Sequence, residues 1–207
     1  MYKRQDEEHS DEEHGDDDHS DEDGHEHDHD GADPHFFTDP ARMATAVDGI
    51  ADFLAAEVAG LDIAQLEAAA DAYIVELEAL DQQVFELVRT IPADQRVLVT
   101  NHEVFAYFAD RYDFEVAGVV IPGGSTTDAA SAAELAELAE VIEAEGVPAI
   151  FSDTSSSDEL SSVLADEVGD IEVVELYTES LGPEGSDGDT YLKMITTNAE
   201  RITAALG

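Results

Sequence analysis

Histidine is the residue type with most chemistry to offer in this chain, and it is distributed very unevenly. Six of the eight histidines (His9, His14, His19, His25, His27 and His29) lie within residues 1–33 among aspartates, glutamates and glycines; the other two are His35 and His102. No cysteine is present. Thiolate metal sites, disulfides and cysteine nucleophiles are therefore excluded, and imidazole nitrogen and carboxylate oxygen remain as the strong ligands. An acidic, histidine-rich run offers many weak, exchangeable ligands to divalent cations. It can also be a plain solvated charge run whose histidines are incidental, but the near absence of histidine elsewhere favours low-affinity metal capture.

His102 stands in a more specific place. Arg96 to Thr100 reads as a buried strand, while Val104, Phe105, Tyr107 and Phe108 recur at helical spacing, so the turn holding His102 and Glu103 is expected to lead straight into a helix. The aromatics are most simply core. In an open parallel α/β sheet, ligands bind beyond the carboxyl ends of the strands, where loops converge and helix N-termini point.

The elements that must build such an edge follow Pro92. Strands are expected at 96–100, 115–121, 148–152 and 171–177, alternating with helices at 103–112, 131–145, 157–168 and 188–206. This alternation specifies an α/β fold, a four-stranded parallel sheet flanked by helices. The loops after the four strands then share one edge. They carry His102 with Glu103, Pro122-Gly123-Gly124-Ser125, Asp153 and Glu179.

Two helices precede the sheet. Asp39 and Pro40 read as N-cap and first position of a helix over 41–59, with Met43, Val47, Ile50, Phe53 and Leu54 on its inner face. Asp62 caps a second helix reaching about Thr90, whose stripe is Leu66, Ala69, Tyr73, Leu77, Leu80, Val84 and Leu87. At 1.5 Å per residue it is roughly 40 Å long, more than one small lobe needs, and suits a brace. The expected division is a disordered acidic segment at 1–33, a metal-ligand turn with two helices at 34–91, and an α/β metal-binding lobe at 92–207.

His102 and Glu179 are the ordered ligand candidates on the edge, and His35 joins them if the Asp33-Pro34-His35-Phe36-Phe37 turn folds over it. Such a donor set suits Zn²⁺, Mn²⁺ or Fe²⁺. Singly, each residue has a plainer role open to it: a histidine after a strand is often structural, and Glu179 can cap Ser180 to Gly182. The Pro122–Thr127 run lacks a P-loop lysine and sits in a negative field, so it reads as a turn. The serines between Asp153 and Asp158 lack a G-x-S-x-G elbow, and Ser156 or Ser157 is better placed to cap the next helix. A metal-dependent hydrolase would need Glu103 or Asp153 as general base.

Charge narrows the partners. The net charge is −43, and residues 1–33 hold only 16 of the 51 acidic residues, leaving 35 acids against six basic groups in the remainder. Self-repulsion on this scale is screened at molar salt, where the Debye length is roughly 3 Å, so a halophilic protein is expected. With only Lys3 and Lys193 as lysines, nucleic acid and anionic membrane are poor partners. No run of about eighteen apolar residues is present, so no membrane span is expected. Met1 is followed by charged and polar residues rather than an apolar signal-peptide core.

From Asp33 to the C-terminus the sequence resembles the metal-binding substrate-binding proteins of zinc and manganese ABC transporters. The resemblance rests on DPHFFTDP, VTNHEVFAYFADRY, GVVIPGGSTTDAASAAELAEL, AIFSDTSSS and LYTESLGPEGSDGDTYLKMITTN in that order, with the histidine-rich loop just before them. It implies two α/β lobes joined by a long rigid helix, with metal held between them. His35 and His102 would be metal ligands, and Glu179 would stand where the family has aspartate. It further implies no enzyme activity, Zn²⁺ or else Mn²⁺ as cargo, an ABC transporter permease as partner, and a location at the extracellular face of the membrane or in the periplasm. The family's first lobe, with its export signal and further histidine ligand, has no counterpart here. A receptor fragment with a weakened, solvent-open three-ligand site is therefore expected. The alternatives are a metal-buffering or adhesive surface protein, in which the tail alone matters, and a non-functional fragment of the receptor.

Overall fold

Strands β1 (Val97–Thr100) and β3 (Ala149–Asp153) are buried at every residue. Their first three residues are apolar in each case, because helices cover the sheet on both faces, and the buried polar residues Thr100, Ser152 and Asp153 stand at their carboxyl ends. The computed structural model describes residues 33–121, 130–155, 159–169 and 171–207. The histidine-rich segment, the Pro122–Ser125 turn and the capping serines Ser156 and Ser157 lie outside the described residues. β2 (Glu115–Val119) and β4 (Glu172–Leu176) flank the central pair, and the order β2-β1-β3-β4 is parallel throughout. The expected four-stranded α/β sheet is thus present.

Side chains alternate between two cores with the period of two that a strand imposes. Leu98, Ala149 and Phe151 join α2 (Ile63–Val88), α3 (Ala106–Tyr112) and α6 (Tyr191–Leu206) on one face. Val97, Val99 and Ile150 meet α4 (Ala132–Glu145) and α5 (Glu159–Val168) on the other. The pairing of β1 with β2 shifts register between Leu98 and Val99. Gly118, just past the shift, permits a close approach: a Cβ there would collide with the Leu138 side chain of α4. α4 opens with a capping box, Ser131 accepting from the Glu134 N–H while the Glu134 carboxylate accepts from the Ser131 N–H.

Several expected boundaries and faces are corrected. α3 begins at Ala106 rather than 103. The His102 carbonyl accepts from Thr100 Oγ1 and Val104 N–H, folding a tight turn that delivers Val104 and Phe105 to the core in irregular backbone. Apolar spacing alone counted them as helical. α6 starts at Tyr191 rather than 188, because Thr190 caps it by accepting from Lys193 N–H.

α1 (Pro40–Glu57) has the expected Asp39 cap and first-position proline. Its Ile50 and Phe53 face solvent, at 56% and 64% exposure. α1 packs chiefly on α2, and one helical neighbour covers only one side of it. On α2 the stripe holds except at Ala69, which is exposed while Ala70 is half-buried. Leu77, Leu80, Val84 and Val88 are buried, all in its second half, where it meets α6 and where Leu80, Val84 and Val88 join the core on that face of the sheet. Among the described residues, no helix is long and apolar enough to cross a membrane.

Candidate metal centre

Two turns and one loop converge at the carboxyl edge of the sheet. The first is a 3₁₀ turn, His35–Thr38, in the DPHFFT stretch. Asp33 Oδ1 accepts from the His35 backbone N–H at 2.9 Å and lies 2.7 Å from His35 Nδ1. The imidazole is thereby held with Nε2 free, the arrangement by which a second carboxylate orients a metal-ligating histidine. Tyr107 of α3 donates to the Asp33 carbonyl, and Arg42 of α1 lies 4.2 Å over the Tyr107 ring. Tyr191 of α6 donates to the Phe37 carbonyl at 2.8 Å. The turn is therefore fastened by α3 and α6 together.

The second turn follows β1. Ladder bonding continues past the strand, with Asn101 N–H donating to the Phe151 carbonyl and Ile121 N–H to the Asn101 carbonyl. His102 is consequently held at the strand end, 2% exposed, its ring 5.9 Å from the His35 ring. Its Nδ1 is buried without a hydrogen-bond partner, while Nε2 lies 2.5 Å from Glu179 Oε1.

Glu179 belongs to the loop between β4 and α6, where no helix begins at Ser180, so the capping role is not what the structure shows. Asp153, at the end of β3, binds this loop at its root. Its carboxylate accepts from the N–H groups of Thr178 and Glu179 and from Thr178 Oγ1, and on the other side from Ser155. Burial pushes the Asp153 carboxyl up; the bonds from Ser155 and Thr178 outweigh it and hold the group below the ordinary carboxylate value. Asn198 of α6 continues the clamp, its Oδ1 accepting from Tyr177 N–H and its Nδ2 donating to the Tyr177 carbonyl.

The result is that one ligand atom each from His35, His102 and Glu179 lie within 4.8 Å of one another. Ligands 2.0–2.2 Å from a tetrahedral zinc stand roughly 3.4 Å apart, so His102 and Glu179, now in hydrogen-bond contact, would part by about 1 Å while a pair as wide as 4.8 Å would close by about 1.4 Å to admit an ion. Glu103 is exposed on the outer side of its turn. Asp153 is committed to the loop rather than offered to a reacting water.

Comparison with known proteins gives this geometry its context. The family described as zinc-uptake complex component A, periplasmic, matches residues 3–205. The chain belongs to that family. It is similar to the zinc-binding protein TroA of Treponema pallidum, 34% identical over 179 residues that cover 84% of this chain and 57% of TroA. It is also similar to the manganese-binding lipoprotein MntA of Halalkalibacterium halodurans, 26% identical over 178 residues, 86% of this chain and 58% of MntA. The solved structure of the periplasmic zinc-binding protein TroA from Treponema pallidum superposes with a TM-score of 0.77 at 33% identity, covering 84% of this chain and 64% of that one. The chain thus spans little more than half the length of these curated relatives. These relatives are described as metal-binding proteins, which gives the hydrolase alternative no support.

Asp33, Thr178, Tyr191 and Asn198 are site residues to which sequence reasoning gave no role. An Asp-Pro-His turn does signal an aspartate able to bond the backbone two residues on. Nothing local marks Asn198, whose partner lies 21 residues away. Replacing Asp33 by alanine should free the His35 ring and weaken zinc binding by about 10- to 100-fold with little change in unfolding stability, as read by calorimetric titration and chemical denaturation.

Proposed function

We propose that this chain binds a divalent metal ion through His35, His102 and Glu179 outside the cytoplasm and delivers it to an ABC transporter permease. Zinc is the first choice of metal and manganese the second. The observation that carries the reading is the convergence of the three ligand atoms from segments far apart in sequence. Two imidazoles and a carboxylate form a borderline-to-hard donor set suited to both ions, and the relatives named above include a zinc-binding and a manganese-binding protein. With Glu179 40% exposed and His35 18% exposed at the side chain, the open coordination positions face solvent. Protons compete for the imidazoles, so binding weakens as the solution is acidified.

The histidines of residues 1–33 act in this reading as a low-affinity reservoir that raises local metal concentration. Zinc titration in molar KCl, on the full chain and on one starting at Gly31, separates reservoir from site. The receptor reading requires one tight equivalent in both proteins. Loss of nearly all binding from the shorter chain would instead identify a metal buffer. Transfer of the bound ion to a permease from the same source tests delivery.

A further inference from the structure

Glu179 has a long side chain with several rotatable bonds on an exposed loop, and ordering it against a metal costs rotamer entropy. Its position must therefore be set by what holds its backbone. Leu176, the last residue of β4, pairs with Asp153, so that carboxylate lies beside the chain as it leaves the strand. One Asp153 oxygen receives the Thr178 N–H at 3.1 Å, the Glu179 N–H at 3.2 Å and the Thr178 hydroxyl; the other receives the Ser155 N–H at 2.7 Å and the Ser155 hydroxyl. Asp153 is 2% exposed and Thr178 is 4% exposed, so the two bonds from Thr178 form out of water and are strong, while those from Glu179 and Ser155 are part-buried. We propose that Asp153 is the positioning residue of the metal site, holding the Thr178–Glu179 backbone so that the Glu179 carboxylate faces His102. The inference rests on the metal-binding reading above.

An asparagine cannot replace this carboxylate, because an amide has one accepting oxygen while both Asp153 oxygens receive N–H donors. Either the Ser155 side or the Glu179 side loses its acceptor. The test is a double-mutant cycle on the full chain in molar KCl, with zinc affinity measured by chelator competition for the unsubstituted protein, Asp153→Asn, Glu179→Gln and the pair. The histidine-rich segment is common to all four, so its contribution cancels. Asp153→Asn is expected to weaken binding about 10- to 100-fold. If Asp153 acts through Glu179, the same substitution changes affinity less than about twofold in the Glu179→Gln background. Additive losses would overturn the proposal in favour of general stabilisation of the fold. Should Asp153→Asn not fold, Thr178→Val, which removes one donor to the same oxygen, takes its place with the same expected dependence on Glu179. Undiminished zinc affinity in the folded Asp153 variant refutes the positioning role alone; absence of tight binding in the unsubstituted chain overturns both it and the reading beneath it.

Discussion

Replacing His102 by leucine is expected to abolish tight metal binding while leaving the metal-free protein at least as stable. The two effects have separate causes. A zinc shell of four ligands is worth roughly 10–16 kcal/mol, or about 3 kcal/mol per ligand, so losing one costs affinity on the order of 100- to 1000-fold. In the metal-free fold, however, the buried imbalance runs the other way. His102 Nδ1 has no hydrogen-bond partner at a site 2% exposed, and an orphaned buried polar atom costs about 1–3 kcal/mol. An apolar side chain of similar size removes that penalty and forfeits the contact of Nε2 with the part-exposed Glu179. Denaturation with and without zinc checks both halves. The unsubstituted protein should gain about 2.7 kcal/mol at a free zinc concentration of a hundred times its Kd, and the variant should gain almost nothing. A His102→Leu protein that still responds fully to zinc would remove His102 from the site.

The largest effect on folding is expected at Asp81. This aspartate sits on α2, 5% exposed, and its two oxygens accept from Arg111 Nε at 2.9 Å and from Arg111 at its second nitrogen at 2.5 Å. Tyr112 donates its hydroxyl to the same carboxylate at 2.9 Å. These bonds tie α2 to α3, the helix that follows the His102 turn. Burial raises the Asp81 carboxyl, but the bonds from Arg111 and Tyr112 prevail and hold it below its ordinary value. Burial and the nearby Asp81 charge in turn push the Tyr112 hydroxyl far up, so it remains a donor. Asp81→Asn turns one acceptor into a donor facing donors. Breaking one side of a buried pair costs about 3–5 kcal/mol. Arg111 is 41% exposed and can recover water, so about 2–4 kcal/mol is expected from urea denaturation in high salt.

The sign of the pH dependence follows from the depressed folded-state value. The stabilisation by the ionised Asp81 is present above the unfolded aspartate value near 4 and is lost as pH falls through the lower folded-state value. The gap between the unsubstituted protein and Asp81→Asn should hold from pH 7 to 5 and narrow below about pH 4. A gap that widened on acidification would contradict the assignment.

Much of this architecture is legible in the sequence for local reasons. The two central strands begin as apolar runs, Val97–Val99 and Ala149–Phe151, because both their faces are covered, and the helices carry Asp39, Asp62 and Ser131 at their starts, where a short polar side chain must take up free N–H groups. His102 is legible as a strand-end residue because the run before it is short, β-branched and abruptly ended. The orientation of α1 was not legible, since Ile50 and Phe53 fit an inward stripe as well as Met43 and Val47 do. Periodicity states which residues share a face and not whether anything covers it.

The chain by itself therefore determined the donor chemistry, nitrogen and oxygen without sulfur, and the kind of edge on which it would stand. Only the tertiary structure decided which donors meet. Glu179 reaches His102 across 77 residues, and Asp153 holds the Glu179 backbone across 26. Both spacings are set by helices and strands that pack in between, and a carboxylate read alone carries no record of whether it will cap a helix, clamp a loop or face an imidazole.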